Sequence, residues 1–177
     1  MGDFIFILGG ARSGKSRYAA RLAEDSGGGV TFIATAEPHD EEMKERIKRH
    51  KVARPKDWKL IEESKDVEGI LSKISASSGM VLIDCLGLLV SNLIAAGQSD
   101  KEIDKRMEDM ISTISNNGLN VIIVSNDVGS GIVPMNSLAR RFRDVIGLAN
   151  QKCAANADKV IVTHAGIPVV IKSKIKH

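Results

Sequence analysis

The residues best suited to chemistry stand near the start of the chain. Gly9-Gly10-Ala11-Arg12-Ser13-Gly14-Lys15-Ser16 follows the pattern GxxxxGK[ST], the spacing of a loop that wraps phosphate in backbone amides. Glycine is needed where those amides must turn toward a ligand with no side chain in the way. Lys15 is expected to reach the β- and γ-phosphates of a nucleotide, and the Ser16 hydroxyl to coordinate Mg²⁺. A helix opening near Lys15 adds its positive N-terminal dipole to the same anion site. Asp84, which closes the apolar run Met80–Ile83, can face the bound Mg²⁺ directly or through water. An aspartate at a strand end also serves as a turn former or a helix cap.

A histidine supplies the second candidate. Pro38-His39-Asp40-Glu41-Glu42 reads as a helix start with carboxylates in its first turn, and Met43, Ile47 and His50 then share one stripe at i, i+4 and i+7. An imidazole there is either a satisfied core residue or a nucleophile. Arg46, Arg49, Lys51 and Arg54 bracket it. Their positive field suits a second phosphate contact and keeps the imidazole neutral, hence nucleophilic. The same cations also fit a solvated helix face, and spacing does not choose between the two. His39 reads as a loop residue, His164 has no comparable context, and His177 ends a basic tail with Lys172, Lys174 and Lys176 that is expected to face solvent.

These residues must be positioned by short apolar runs alternating with amphipathic stretches. Phe4–Leu8, Val30–Ala34, Met80–Ile83 and Val121–Val124 are continuous rather than alternating, the mark of strands buried on both faces of a parallel sheet. Val160–Val162 and Val169–Ile171 flank Ala165-Gly166-Ile167-Pro168, read as the turn of a terminal hairpin. Tyr18, Ala19, Leu22 and Ala23 give one helical face; Ile103, Met107, Met110, Ile111 and Ile114 give a second; Leu138, Phe142, Val145, Ile146 and Ala149 give a third. Gly27-Gly28-Gly29 ends the first helix. The pattern predicts an α/β sheet with helices on both faces.

Composition bounds the alternatives. The 177 residues, with 43% hydrophobic and 27% charged, fit one domain spanning 1–177 that buries about 70% of the surface its unfolded chain exposes. Four Phe, one Tyr and one Trp leave too few aromatics for base stacking, and a net charge of +3 makes no DNA-binding stripe, so no nucleic-acid partner is expected. Cys85 and Cys153 form no metal or disulfide pattern, which fits a reducing compartment. No apolar stretch reaches the ~20 residues of a membrane span, and a cytoplasmic protein is expected.

Several segments together resemble one family. GGARSGKS at 9–16, FIATAEPHDEEMKERIKRHKVAR at 32–54, Trp58 and Glu62, IDCL around Asp84, and SNDVGSGIVP at 125–134 followed by LARRFRDVIGLANQ at 138–151 are similar, in order and over nearly the whole chain, to the adenosylcobinamide kinase / adenosylcobinamide-phosphate guanylyltransferase family. The resemblance implies a three-layer, mainly parallel P-loop NTPase fold of RecA-like type with a C-terminal antiparallel hairpin, assembled as a homotrimer. It implies two reactions of cobalamin biosynthesis. The hydroxyl of the aminopropanol arm of adenosylcobinamide takes a γ-phosphate from ATP or GTP. GTP then donates GMP to that phosphate through a guanylylated histidine, giving adenosylcobinamide-GDP and pyrophosphate. The residue matching that histidine is His50. Ala34, Thr35, Ala36, Lys51, Val52, Ala53, Arg54 and Glu62 match positions around the guanine nucleotide, and Asp84 matches the family's acidic strand-end residue. Asp127 stands where Glu is usual, and Met135 where an acidic residue is common. The readings set against this one are a small-molecule P-loop kinase without guanylyl transfer and a RecA-like nucleotide switch acting on a macromolecule.

Overall fold

In a computed structural model of the chain, the described residues are 2–38, 40–52 and 55–174, with the backbone alone for Arg46, Arg49 and His50. Among these described residues seven strands form one sheet: β1 (Phe4–Gly9), β2 (Val30–Ala34), β3 (Lys59–Glu62), β4 (Met80–Asp84), β5 (Asn120–Asn126), β6 (Lys159–His164) and β7 (Ile167–Ser173). Their order is β3-β2-β4-β5-β1-β6-β7; β1 to β6 run parallel and β7 returns antiparallel to β6. The helices are α1 (Lys15–Glu24), α2 (Glu41–Val52), α3 (Val67–Leu71), α4 (Leu86–Ala95), α5 (Asp100–Asn116) and α6 (Ser137–Asn156).

Side chains alternate across the pleat and fill a core on each face. Phe6, Ile83, Val121 and Ile123 meet the helices α3 to α6 on one side. Ile7, Phe32, Leu82 and Val124 meet Ala19 and Ala23 of α1 on the other. The continuous apolar runs therefore mark strands covered twice, as expected. The predicted stripe of α5 is buried throughout, and the helix opens on a capping box in which Ser99 and Glu102 satisfy each other's backbone amides.

Three expectations need correction. The terminal turn is Ala165-Gly166 alone, both at positive φ (50° and 83°), and Ile167 and Pro168 already belong to β7. Pro168 is tolerated because β7 is an edge strand. Leu138 is exposed, so the buried stripe of α6 begins later, at Val145. The basic tail is pinned: Lys172 Nζ donates to the Ala154 and Ala155 carbonyls at the end of α6, and Lys174 pairs with Asp158 at 2.8 Å. Lys176 and His177 lie outside the described residues.

Candidate active site

The strand ends bring the candidates together. Gly9, Ala34, Glu62, Asp84 and Asn126 close β1, β2, β3, β4 and β5 on one edge of the sheet. Parallel strands place their carboxyl ends side by side, and ligands of open α/β sheets bind there.

The phosphate loop leaves β1 at Gly9 and enters α1 at Lys15. A Cβ at Gly9 would stand 2.3 Å from Thr163 Oγ1 and 2.4 Å from Ser13 Oγ, so only glycine fits. Gly14 caps α1 at φ 92°, a left-handed conformation. Arg12 also has a positive φ, 55°. Ser13 Oγ lies 2.8 Å from Thr163 Oγ1, which donates to the Leu8 carbonyl, and Gly166 N donates to the Ser13 carbonyl at 2.9 Å. The loop is thus braced from behind by β6 and by the β6–β7 turn. Lys15 is buried, with Nζ 3.2 Å from the Gly10 carbonyl, so its ammonium is folded over the loop it serves. In front opens a cleft of about 660 Å³ lined by residues 11–17 together with Glu42, Ala165 and Gly166.

Helix α2 forms the other wall. Asp40 starts it, accepting from Met43 N at 2.7 Å. While Glu42 borders the phosphate cleft, Met43, Ile47 and Lys51 line an apolar hollow over Phe32, Asp84, Cys85 and Leu88. This hollow continues into a cleft of about 570 Å³ that reaches Ala36, Val52 and Glu62. Lys51 Nζ pairs with Glu62 Oε1 at 2.7 Å, joining two residues that the family resemblance implies lie around the nucleotide. Neighbouring Glu63 has its carboxyl held below the usual range by hydrogen bonds from the Asp66 and Lys65 amides. His50 falls within α2, between Ile47 and Lys51, and its side chain lies outside the described residues, as do those of Arg46 and Arg49 and all of His39, Ala53 and Arg54.

Thr35 is brought to the site but turned away from the cleft. It is fully buried; its Oγ1 donates to the Cys85 carbonyl and accepts from Cys85 N, both at 2.8 Å. Asn92 Nδ2 donates to the carbonyls of Thr35 and Ser64, at 2.8 and 3.1 Å. Together they fix the ends of β2 and β4 against α4. Trp58 is buried and tilted against Phe32, with ring centroids 6.2 Å apart, so it belongs to the core. Asp84 and Ser16 are both half-buried. Thr163 and Asn92 carried no signal in the sequence, and Glu42 and Gly166 read only as helix-start and turn residues, because each comes to the site through contacts between distant segments.

The donors suit Mg²⁺. A hydroxyl (Ser16) and one carboxylate (Asp84) are hard oxygen ligands, and Mg²⁺ takes few protein ligands when phosphate oxygens complete its shell. Among the described residues no three His, Cys, Asp or Glu side chains cluster to hold a metal by themselves.

Comparison with known proteins decides the family. Residues 5–171 match the cobinamide kinase / cobinamide phosphate guanyltransferase family. The chain belongs to that family. It is 38% identical over 168 residues to the bifunctional adenosylcobalamin biosynthesis protein CobP of Pseudomonas aeruginosa, covering 95% of this chain and 96% of that protein. It is 39% identical over 180 residues to the bifunctional adenosylcobalamin biosynthesis protein CobU of Salmonella typhimurium, covering 95% and 99%. The Escherichia coli protein of the same name is 36% identical with the same coverage. Among solved structures, the RadB recombinase superposes with a TM-score of 0.55 at 15% identity, over 99% of this chain and 83% of that one. At that identity the likeness shows a RecA-like fold alone.

Proposed function

We propose that this family member carries out both reactions, phosphorylating adenosylcobinamide and then transferring GMP to the product to give adenosylcobinamide-GDP. The observation that carries the reading is the position of α2. The helix containing His50 walls the phosphate cleft through Glu42 and the adjoining cleft through Met43, Ile47 and Lys51. The helix that carries the proposed nucleophile therefore borders both the phosphate cleft and a second binding space.

In the first reaction the loop amides and Lys15 hold the triphosphate of ATP or GTP while the substrate hydroxyl attacks the γ-phosphorus and the nucleoside diphosphate leaves. In the second, a neutral imidazole nitrogen of His50 attacks the α-phosphorus of GTP and pyrophosphate departs, its charge met by Lys15. The phosphate of adenosylcobinamide phosphate then displaces the imidazole and takes the GMP. Two in-line displacements retain configuration at phosphorus. Ala34, Ala36, Lys51, Val52, Ala53, Arg54 and Glu62 are assigned to the guanine nucleotide, Thr35 to positioning behind them. Ser16 and Asp84 would hold Mg²⁺, which neutralises phosphate charge when bound. The chain is read as one cytoplasmic domain that assembles as a homotrimer, the last on family resemblance; no helix among the described residues is long and apolar enough to cross a membrane.

The test is product analysis. Purified chain given adenosylcobinamide and γ-labelled ATP should form labelled adenosylcobinamide phosphate, and added GTP should convert it to adenosylcobinamide-GDP with release of pyrophosphate. Phosphorylation that halts at the first product would leave a kinase only. Hydrolysis stimulated by DNA or a protein, and indifferent to cobinamide, would indicate a nucleotide switch.

A further inference from the structure

The loop joining β5 to α6 is unusual for an exposed segment. From Val128 into the first turn of α6 at Ala139 there is no charged residue. Ile132 and Met135 are 97% and 98% exposed, and Val133 and Leu138 more than half. The loop is nevertheless held in shape at both ends. Asp127 Oδ1 accepts from Gly129 N, Asn136 Oδ1 caps α6 by accepting from Leu138 N and Ala139 N, and Arg140 Nη1 donates to the Pro134 and Met135 carbonyls at 2.9 and 2.6 Å. Three bulky apolar side chains on a braced loop, with Leu138 in the first turn of α6, form a surface that favours an apolar partner.

The place of the loop in the fold selects the partner. Asp127 N donates to the Gly9 carbonyl at 3.1 Å, so the loop departs directly beside the first residue of the phosphate loop. Five residues span at most about 17 Å, which keeps Ile132 within that distance of the triphosphate cradle's edge. In the function proposed above the reacting hydroxyl sits at the end of a flexible arm, and the large ring system that bears the arm has to rest a short way from the phosphates. A corrin ring is broad, with methyl-studded apolar faces and a rim of neutral amides. An uncharged apolar loop matches its faces. Met135, where an acidic residue is common in the family, adds to this apolar character. We infer that the loop surface of Ile132, Val133, Met135 and Leu138 is the docking site for the corrin ring of the acceptor substrate. The inference rests on the proposed function.

The test is a double variant, Ile132→Ser with Met135→Ser, in the full chain. Both side chains are almost wholly exposed, so the fold should be kept. Equilibrium dialysis against cobinamide should give a Kd raised about tenfold or more, with KM for cobinamide raised in parallel. KM for ATP, and guanylylation of the protein by GTP alone, should stay within about twofold of the parent. A cobinamide Kd unchanged in the double variant overturns the site. A parent oligomer that dissociates in the double variant, with cobinamide affinity following the monomer fraction, also overturns it and assigns the loop to a second copy of the chain. A parent chain that neither binds nor phosphorylates cobinamide defeats the proposed function itself, and the site with it.

Discussion

Lys15 is the residue on which both proposed reactions converge, because both draw on one triphosphate cradle. Lys15→Ala should lower each activity by about 10²–10³-fold or more. Kinase activity surviving while guanylyl transfer disappears would separate the two sites. Gly9→Ala tests the cradle's shape: the added methyl meets Thr163 Oγ1 and Ser13 Oγ at under 2.5 Å, and nucleotide affinity measured by calorimetry should collapse. Thr35→Val tests the brace behind the site. It removes the hydroxyl serving both Cys85 N and Cys85 O and should lower unfolding free energy by ~1–3 kcal/mol, read from urea denaturation with an unchanged slope. At this scale the phosphate loop was readable from eight consecutive residues, because its chemistry is local. Thr35 was singled out by position, yet its role as a brace needed Cys85, fifty residues away. Nothing local to Thr163 announces that it props the loop.

At the scale of elements, α2 and β3 are joined by Lys51 and Glu62, whose side chains are 46% and 57% exposed. A pair so exposed contributes at most about 1 kcal/mol to stability. Glu62→Gln should therefore leave the thermal midpoint nearly unchanged while weakening GTP binding, a split that a thermal melt and a binding titration together would reveal. Equal loss in both would make the pair structural. The doubly covered strands β1, β2, β4 and β5 stood out as apolar runs because both faces are buried. The edge strand β3 did not: Lys59-Leu60-Ile61-Glu62 is short, largely exposed and bounded by charge. Helix α4 escaped for the opposite reason. Seven of its ten residues are buried, so no amphipathic period marks it. The tight β6–β7 turn was overestimated because Pro168 suggested a loop, whereas an edge strand accommodates it.

Over the whole molecule, the two cores flank a sheet whose carboxyl edge carries the chemistry, and the protein's two cysteines lie buried in them. Burial pushes the Cys153 thiol up to about 12. The folded chain then keeps a proton that the unfolded chain releases above the ordinary thiol range. Stability from this group is thus full below that range and declines as pH rises toward 12. Cys153→Ala should lose less stability than the parent between neutral and strongly alkaline pH, a difference that urea titrations at both ends would detect. Native protein should also resist alkylation at Cys153 until denatured. The central claim is that GMP passes through a histidine on the helix shared by both clefts. It is tested most directly by incubating the chain with α-labelled GTP and Mg²⁺, denaturing it, and measuring protein-bound label. The account predicts acid-labile label on the parent chain and none on a folded His50→Ala variant; label that persists in that variant, or a well-folded parent that takes none, would contradict it.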